Sequence, residues 1–213
     1  MSEPPPGLAE AFNDGEPSTP RPAASVVLLR RGGKHGARSL EVLLVQRSHD
    51  AAFMPRVWVF PGGAVDPEDG EGEEGYRACA VRELEEEAGI ALDRAEELVL
   101  FSRWITPEFV KTRFDARFFL ALAPAHTPPK PDGRETVDAG WFEPRAALEA
   151  SAADELHLVF PTVKQLERLA EFETSEEAMG ASRGASVEPI LPKLVGTREE
   201  PQIVLPGDPD YPA

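Results

Sequence analysis

Apolar residues in this chain come in short runs, broken by polar segments rich in Gly and Pro, the rhythm of alternating strands and helices. Ala24–Arg31 (ASVVLLRR) and Leu40–Arg47 (LEVLLVQR) are apolar and partly β-branched, so they read as two strands joined by the loop Gly32–Ser39. Val57-Trp58-Val59-Phe60 is a third strand, entering a Pro61-Gly62-Gly63 turn. Glu97–Ile105 and Arg117–Ala123 form a further pair around the loop Thr106–Ala116, and Val137–Phe142 is the last sheet strand, after the Pro-rich Pro124–Asp132. Elsewhere the period changes to that of a helix. Gly72–Ala88 turns Ala80, Val81, Leu84 and Ala88 to one side, and Pro161–Phe172 gathers Val163, Leu166, Leu169 and Ala170 on one face. Pro144–Ser151 is a shorter helix. Strands grouped around a long helix, with more helix late in the chain, predict an α/β fold with a mixed sheet between helical layers.

The two ends depart from this rhythm. Residues 1–22 hold six prolines and little that could pack, so they read as a disordered or loosely attached arm. Residues 23–174 form the domain. Residues 175–213 are an extension: a short polar helix, then the Pro-rich segments Pro189–Leu194 and Gln202–Leu205. Its recurring apolar residues (Val187, Ile190, Leu191, Leu194, Ile203, Val204, Leu205) are expected to pack on the domain or on a second subunit in a homodimer.

Composition narrows the function classes. A length of 213 residues, 41% of them apolar, suffices for one sizeable core plus elaborations. The formal charge of −16 argues against non-specific nucleic-acid binding, which needs clustered Lys and Arg. An anionic ligand would need local basic residues or metal ions to enter. Cys79 is the single cysteine, so no internal disulfide is available and a reducing, cytoplasmic setting fits. No apolar run approaches the roughly 20 residues of a membrane span.

The helix Gly72–Ala88 carries the candidate chemistry. At about 100° per residue, Glu83, Glu86 and Glu87 fall in one arc beside the apolar one, while Glu85 points to solvent. Like charges three and four residues apart cost helix stability. Hard divalent cations such as Mg²⁺ or Mn²⁺, which take all-oxygen ligands, would offset that cost. Arg82 stands beside the ridge, and Gly89 ends the helix where a left-handed residue is usual.

This stretch, with Gly62-Gly63 upstream, resembles the Nudix box, G-x5-E-x7-R-E-U-x-E-E-x-G-U, in which U is a bulky apolar residue. Glu74, Arg82-Glu83, Leu84, Glu86-Glu87, Gly89 and Ile90 match in order; counting back from Glu74, the glycine position holds Glu68. Ten residues separate Gly63 from Glu74, so the loop is lengthened in its acidic segment, Asp66–Gly72. The resemblance implies an α/β/α sandwich over roughly residues 24–172. It implies metal-dependent hydrolysis of a nucleoside diphosphate linked to another moiety, a small-molecule substrate. Glu83, Glu86 and Glu87 would bind metal, with Glu83 also helping to deprotonate water. Arg82 would orient the cluster, Gly63 would leave room at the loop, and Glu74 would be a further ligand or a partner of Arg82. Parts of the family use a general base outside the box, for which the loop residues Glu108 and Glu135 are candidates. Cys79, on the same stripe, reads as a small packing residue.

Upstream, Leu43-Leu44, Arg47-Ser48 and Phe60–Gly63 resemble the coenzyme A diphosphatase signature, L-L-T-x-R-[SA]-x3-R-x3-G-x3-F-P-G-G. Its middle is absent: Val45, Ala52 and Arg56 stand where a threonine, an arginine and a glycine belong. Arg47 and Arg56 are candidate phosphate contacts, and Phe53 a candidate for stacking on a base. Trp58 reads as core. Coenzyme A or its thioesters rank first as substrate, ADP-ribose-type nucleotide sugars next, and oxidised nucleoside triphosphates third. The competing class is a non-catalytic Nudix domain that binds a nucleotide metabolite as sensor or scaffold.

Overall fold

The computed structural model describes residues 13, 15–32, 39–51, 54–125, 127–196 and 201–212. Its spine is β1 (Arg21–Arg31), which runs parallel to β6 (Phe114–Leu122) along one edge. Its other edge is shared. The C-terminal part pairs antiparallel with β2 (Leu40–Arg47), and the N-terminal part with β4 (Gly62–Ala64). β5 (Val99–Ile105) extends the sheet antiparallel to β6; β3 (Trp58–Val59) and β7 (Thr136–Phe142) extend it antiparallel to β2. The mixed sheet predicted from the apolar runs is therefore present.

The runs in β1 and β2 are continuous because both faces of the sheet are covered, which removes the polar half of the usual alternation. Ala24, Val26 and Leu28 face one core with Leu43, Val45, Phe119 and the apolar side of α1 (Gly72–Ala88), where Cys79, Ala80, Leu84 and Ala88 are fully buried. Val27 and Leu29 face the other core, with Val42, Leu44 and Phe101. That side is closed by Ala147 of α2 (Pro144–Ala152), Leu166 and Leu169 of α3 (Phe160–Leu169), and Met179 of α4 (Ser175–Ser182). The result is an α/β/α sandwich. No helix among the described residues is long and apolar enough to cross a membrane.

Some boundaries differ from the sequence reading, for reasons of pairing. β1 starts at Arg21 and β6 at Phe114, because Arg21, Pro22 and Ala23 pair with Phe114, Asp115 and Ala116, so each strand prolongs the other. Residues 15–20 precede β1 and lie along the β5–β6 loop, where Ser18 Oγ donates to Lys111 O and Arg113 Nη1 donates back to Ser18 O, both at 2.8 Å. The Pro-Gly-Gly segment is not only a turn: Gly62 and Gly63 pair with Ser25 and Ala24 as β4. At the far end, β8 (Pro189–Ile190) adds to β5 in parallel, and β9 (Lys193–Gly196) and β10 (Pro201–Val204) form a separate two-stranded sheet.

Candidate active site

α1 presents its acids to β4 and to the loop that precedes β7. Glu83 and Glu87 are buried at 9% and 3% exposure, on the turn side of the helix's apolar stripe, while Glu86 stays at the surface. Burying a carboxylate requires partners, and the Gly62-Gly63 pair supplies room and a donor. Gly62 N donates to Glu87 Oε2 at 2.9 Å. A Cβ on Gly63 would press into the Glu83 carboxylate, its Oε2 lying 2.9 Å from that position, so the side chain packs flat against the bare backbone. Burial pushes the Glu83 carboxyl up despite the Arg82 guanidinium beside it. Burial also lifts Glu87, to about 8, against the opposing pull of the Gly62 N–H and the Arg47 charge.

Arg82 is the pivot of the ridge. Its Nη1 donates to Glu83 Oε1 at 2.9 Å and to Glu86 Oε2 at 3.0 Å, so one cation already draws two of the three acids together. Its Nε and Nη2 donate to both carboxylate oxygens of Asp69, at 2.9 and 2.8 Å. That two-point geometry fixes the guanidinium plane. The Asp69 side chain is only 4% exposed and sits at the end of a 3₁₀ turn, Pro67–Asp69, where Asp69 Oδ2 also accepts from Asp66 N at 2.8 Å. The Arg82 hydrogen bonds hold Asp69 below the ordinary carboxylate range although burial opposes them, and Arg82 is raised in turn, chiefly by Asp69. Glu74 lies exposed in the first turn of α1, and the acid of this loop that bonds Arg82 is Asp69. The signal was available. Counted forward from Gly63 instead of back from Arg82, G-x5-E lands on Asp69, and the surplus residues fall after the acid.

The loop before β7 makes the facing wall. It hangs from the C-terminus of α1, whose left-handed cap Gly89 (φ 65°) lets the chain leave, by Lys130 N donating to Ala88 O and Thr136 Oγ1 to Glu87 O, both at 2.7 Å. Asp132 Oδ1 accepts from the backbone N–H groups of Arg134, Glu135 and Thr136 at 3.1, 3.1 and 2.8 Å. Those bonds hold the Asp132 carboxyl low although desolvation opposes them. Glu86, Glu87, Asp132, Arg134 and Glu135 line a cavity of about 350 Å³ between the two walls. Ser48 N donates to Glu135 O at 2.8 Å, which ties the loop after β2 to the same wall.

The sequence-derived candidates therefore divide. Glu83, Glu86, Glu87, Arg82 and Gly63 meet at the ridge, and Glu135 faces it across the cavity. Arg47 ends β2 close enough for its charge to act on Glu87. Glu108 belongs to the β5–β6 loop, whose Phe109 O accepts from Asn13 N; it does not line the cavity. Arg56 lies exposed in the turn before β3, at φ 62°. Phe53 falls outside the described residues. Trp58 packs its edge on Phe142, with ring centroids 5.2 Å apart, on the α2–α3 core. Cys79 is buried, and burial pushes its thiol up to about 12, in keeping with a packing role. Sequence reasoning missed Asp69, Asp132 and Arg134; the last two emerge only when residues far apart in the chain are brought together.

The donor set fits a hard divalent ion. It is all carboxylate oxygen, and the four acids that line the cavity outnumber the basic groups on them, Arg134 in the lining and Arg82 on Glu86. Among the described residues no three acidic, His or Cys side chains converge on one point as they stand, because Arg82 engages Glu83 and Glu86 while Gly62 engages Glu87.

The family model for the NUDIX domain matches residues 19–162. Nudix hydrolase 7 of Caenorhabditis elegans is 27% identical over 88% of this chain and 73% of its own length. The acyl-coenzyme A diphosphatase of Homo sapiens is 24% identical over 82% of this chain and 73% of its own. The crystal structure of a NUDIX hydrolase from Alicyclobacillus acidocaldarius superposes with a TM-score of 0.69 at 26% identity, covering 76% of this chain and 96% of that one. With the acidic helix packed on its mixed sheet and the box residues along that helix, the chain belongs to the Nudix family of hydrolases.

Proposed function

We propose that this protein is a Mg²⁺- or Mn²⁺-dependent pyrophosphohydrolase that cleaves a nucleoside diphosphate linked to another moiety, with coenzyme A or acyl-coenzyme A first and ADP-ribose-type nucleotide sugars next. The carrying observation is the acidic cavity itself. Glu86 and Glu87 face Asp132 and Glu135 with only Arg134 among them, a lining that repels a diphosphate unless cations come with it. Coenzyme A is favoured by the Leu43-Leu44, Arg47-Ser48 and Phe60–Gly63 matches and by the human acyl-coenzyme A diphosphatase among the relatives.

Glu83, Glu86 and Glu87 would hold the metal, and Arg82, clamped by Asp69, sets the spacing of the first two. Bound divalent ions supply a lowered water pKa and shield the phosphate charge. Glu135, on the opposite wall, accepts the proton as the water oxygen attacks one phosphorus. The bridging P–O bond breaks, its electron pair leaves on the departing phosphate, and two phosphate-bearing products result. Arg47 offsets charge at the Glu87 end.

The test is turnover of coenzyme A and ADP-ribose with Mg²⁺, Mn²⁺ or a chelator, by the wild type and by Glu87→Gln and Glu135→Gln. The expected result is metal-dependent turnover abolished by E87Q and slowed by roughly 10²–10⁴-fold by E135Q, the span of a lost general base. Tight binding of either nucleotide without turnover would instead make the chain a sensor, and E135Q at wild-type rate would remove Glu135 from the mechanism.

A further inference from the structure

Resting on the hydrolase reading, we propose that Arg134 is the side chain by which this site grips the diphosphate, taking phosphate oxygens from the wall opposite the glutamate ridge. The cavity has two sides: Glu86 and Glu87 on α1, and Asp132, Arg134 and Glu135 on the loop before β7. Cations on the first side can neutralise its acids, but a diphosphate lying between the walls also turns oxygens to the second. Arg134 is the single basic residue in the lining.

Two features leave its guanidinium available. The Asp132 carboxylate, two residues before it, is spent on main-chain donors and on Thr136 Oγ1. Among the described residues no acid forms an ion pair with Arg134, whereas Arg30, Arg31, Arg77, Arg82, Arg94, Arg103 and Arg117 each hold one. Its backbone, by contrast, is fixed. Arg134 N is bonded to Asp132, and the loop is anchored to the α1 terminus through Thr136 and Lys130. A planar fork on a fixed backbone is the arrangement that binds phosphate at two points.

The experiment compares wild type, Arg134→Ala and Arg134→Lys. Initial rates are measured with coenzyme A and ADP-ribose in Mg²⁺, and Mn²⁺ affinity is measured separately by electron paramagnetic resonance. Arg134 is exposed, so both variants should fold. The expected result for R134A is a KM raised about 10- to 100-fold, the loss of a charge-assisted bond, with kcat and Mn²⁺ affinity little changed and R134K recovering part of the loss. An unchanged KM in R134A, beside a wild type that turns over either nucleotide, overturns this assignment alone. A fall in Mn²⁺ affinity matching the fall in kcat/KM also overturns it, by making Arg134 a support of the metal ridge. A wild type that turns over neither nucleotide overturns the hydrolase reading and this inference with it.

Discussion

Two neighbouring glycines with the same flexibility serve different ends, because of what a side chain would meet at each. At Gly62 a Cβ would come within 2.5 Å of Ala24 O, a backbone atom in the central strand pairing that cannot step aside. At Gly63 it would meet the Glu83 carboxylate, whose Cδ lies 2.5 Å away and whose side chain can rotate. Gly62→Ala should therefore lower the stability of the fold by about 1–3 kcal/mol, the cost of overpacking a filled site. Gly63→Ala should leave the urea midpoint nearly unmoved but cut the metal-dependent rate by roughly 10²-fold, the usual effect of a 1 Å misplacement at the reacting centre. Equal losses of stability in the two variants would mean that Glu83 is not free to yield. Gly63 was legible as a position that leaves room; what each glycine approaches became visible only with β1 and α1 folded against them.

The elements were read from the sequence with unequal success, and the inequality has a physical pattern. α1 was legible to its last residue because apolar period, acidic stripe and Gly89 cap all agree. β4 was not, because Gly-Gly-Ala has no strand propensity of its own and is a strand only through its pairing with β1. The 3₁₀ turn Pro67–Asp69 was read as mere loop surplus, yet it carries the acid that clamps Arg82. Inserting residues after Asp69 lengthens the approach to α1 without touching the clamp, which is why the box tolerates them. Asp69→Asn removes the negative charge and turns one of the two acceptor oxygens that hold Arg82 into a donor, which lets the guanidinium swing. A fall in kcat/KM of about 10- to 100-fold is expected, as for other partners that orient a metal ligand, with Asp69→Glu restoring part of it. Glu74→Gln, at an exposed position in the first turn, should leave kcat/KM unchanged. The reverse ranking would return the box acid to Glu74.

At the scale of the whole molecule, one sheet carries two cores, and its far edge carries an appendage. Leu28 and Leu29 are adjacent in β1 and fully buried on opposite faces, the first among α1 residues and the second among those of α2, α3 and α4. Either residue cut to Ala should cost about 2–5 kcal/mol, since neither layer can collapse onto a strand paired on both edges. The C-terminal extension is built otherwise. β8 joins the sheet by pairing Pro189 and Ile190 with Arg103 and Trp104, but β9 and β10 pair with each other alone. Their facing residues Leu194 and Ile203 are each 39% exposed, and Tyr211 Oη returns to Leu191 O within the extension itself. A two-stranded hairpin with so little apolar cover adds little to a domain that already has two closed cores. Deleting residues 193–213, which leaves β8 in place, should therefore lower Tm by no more than about 2–4 °C, the equivalent of roughly 1 kcal/mol in a chain of this size. Thermal denaturation of the truncated chain beside Leu28→Ala decides the matter: a drop as large as that of the core variant would mean that the recurring apolar residues of the extension are holding the domain, or a second copy of it, together.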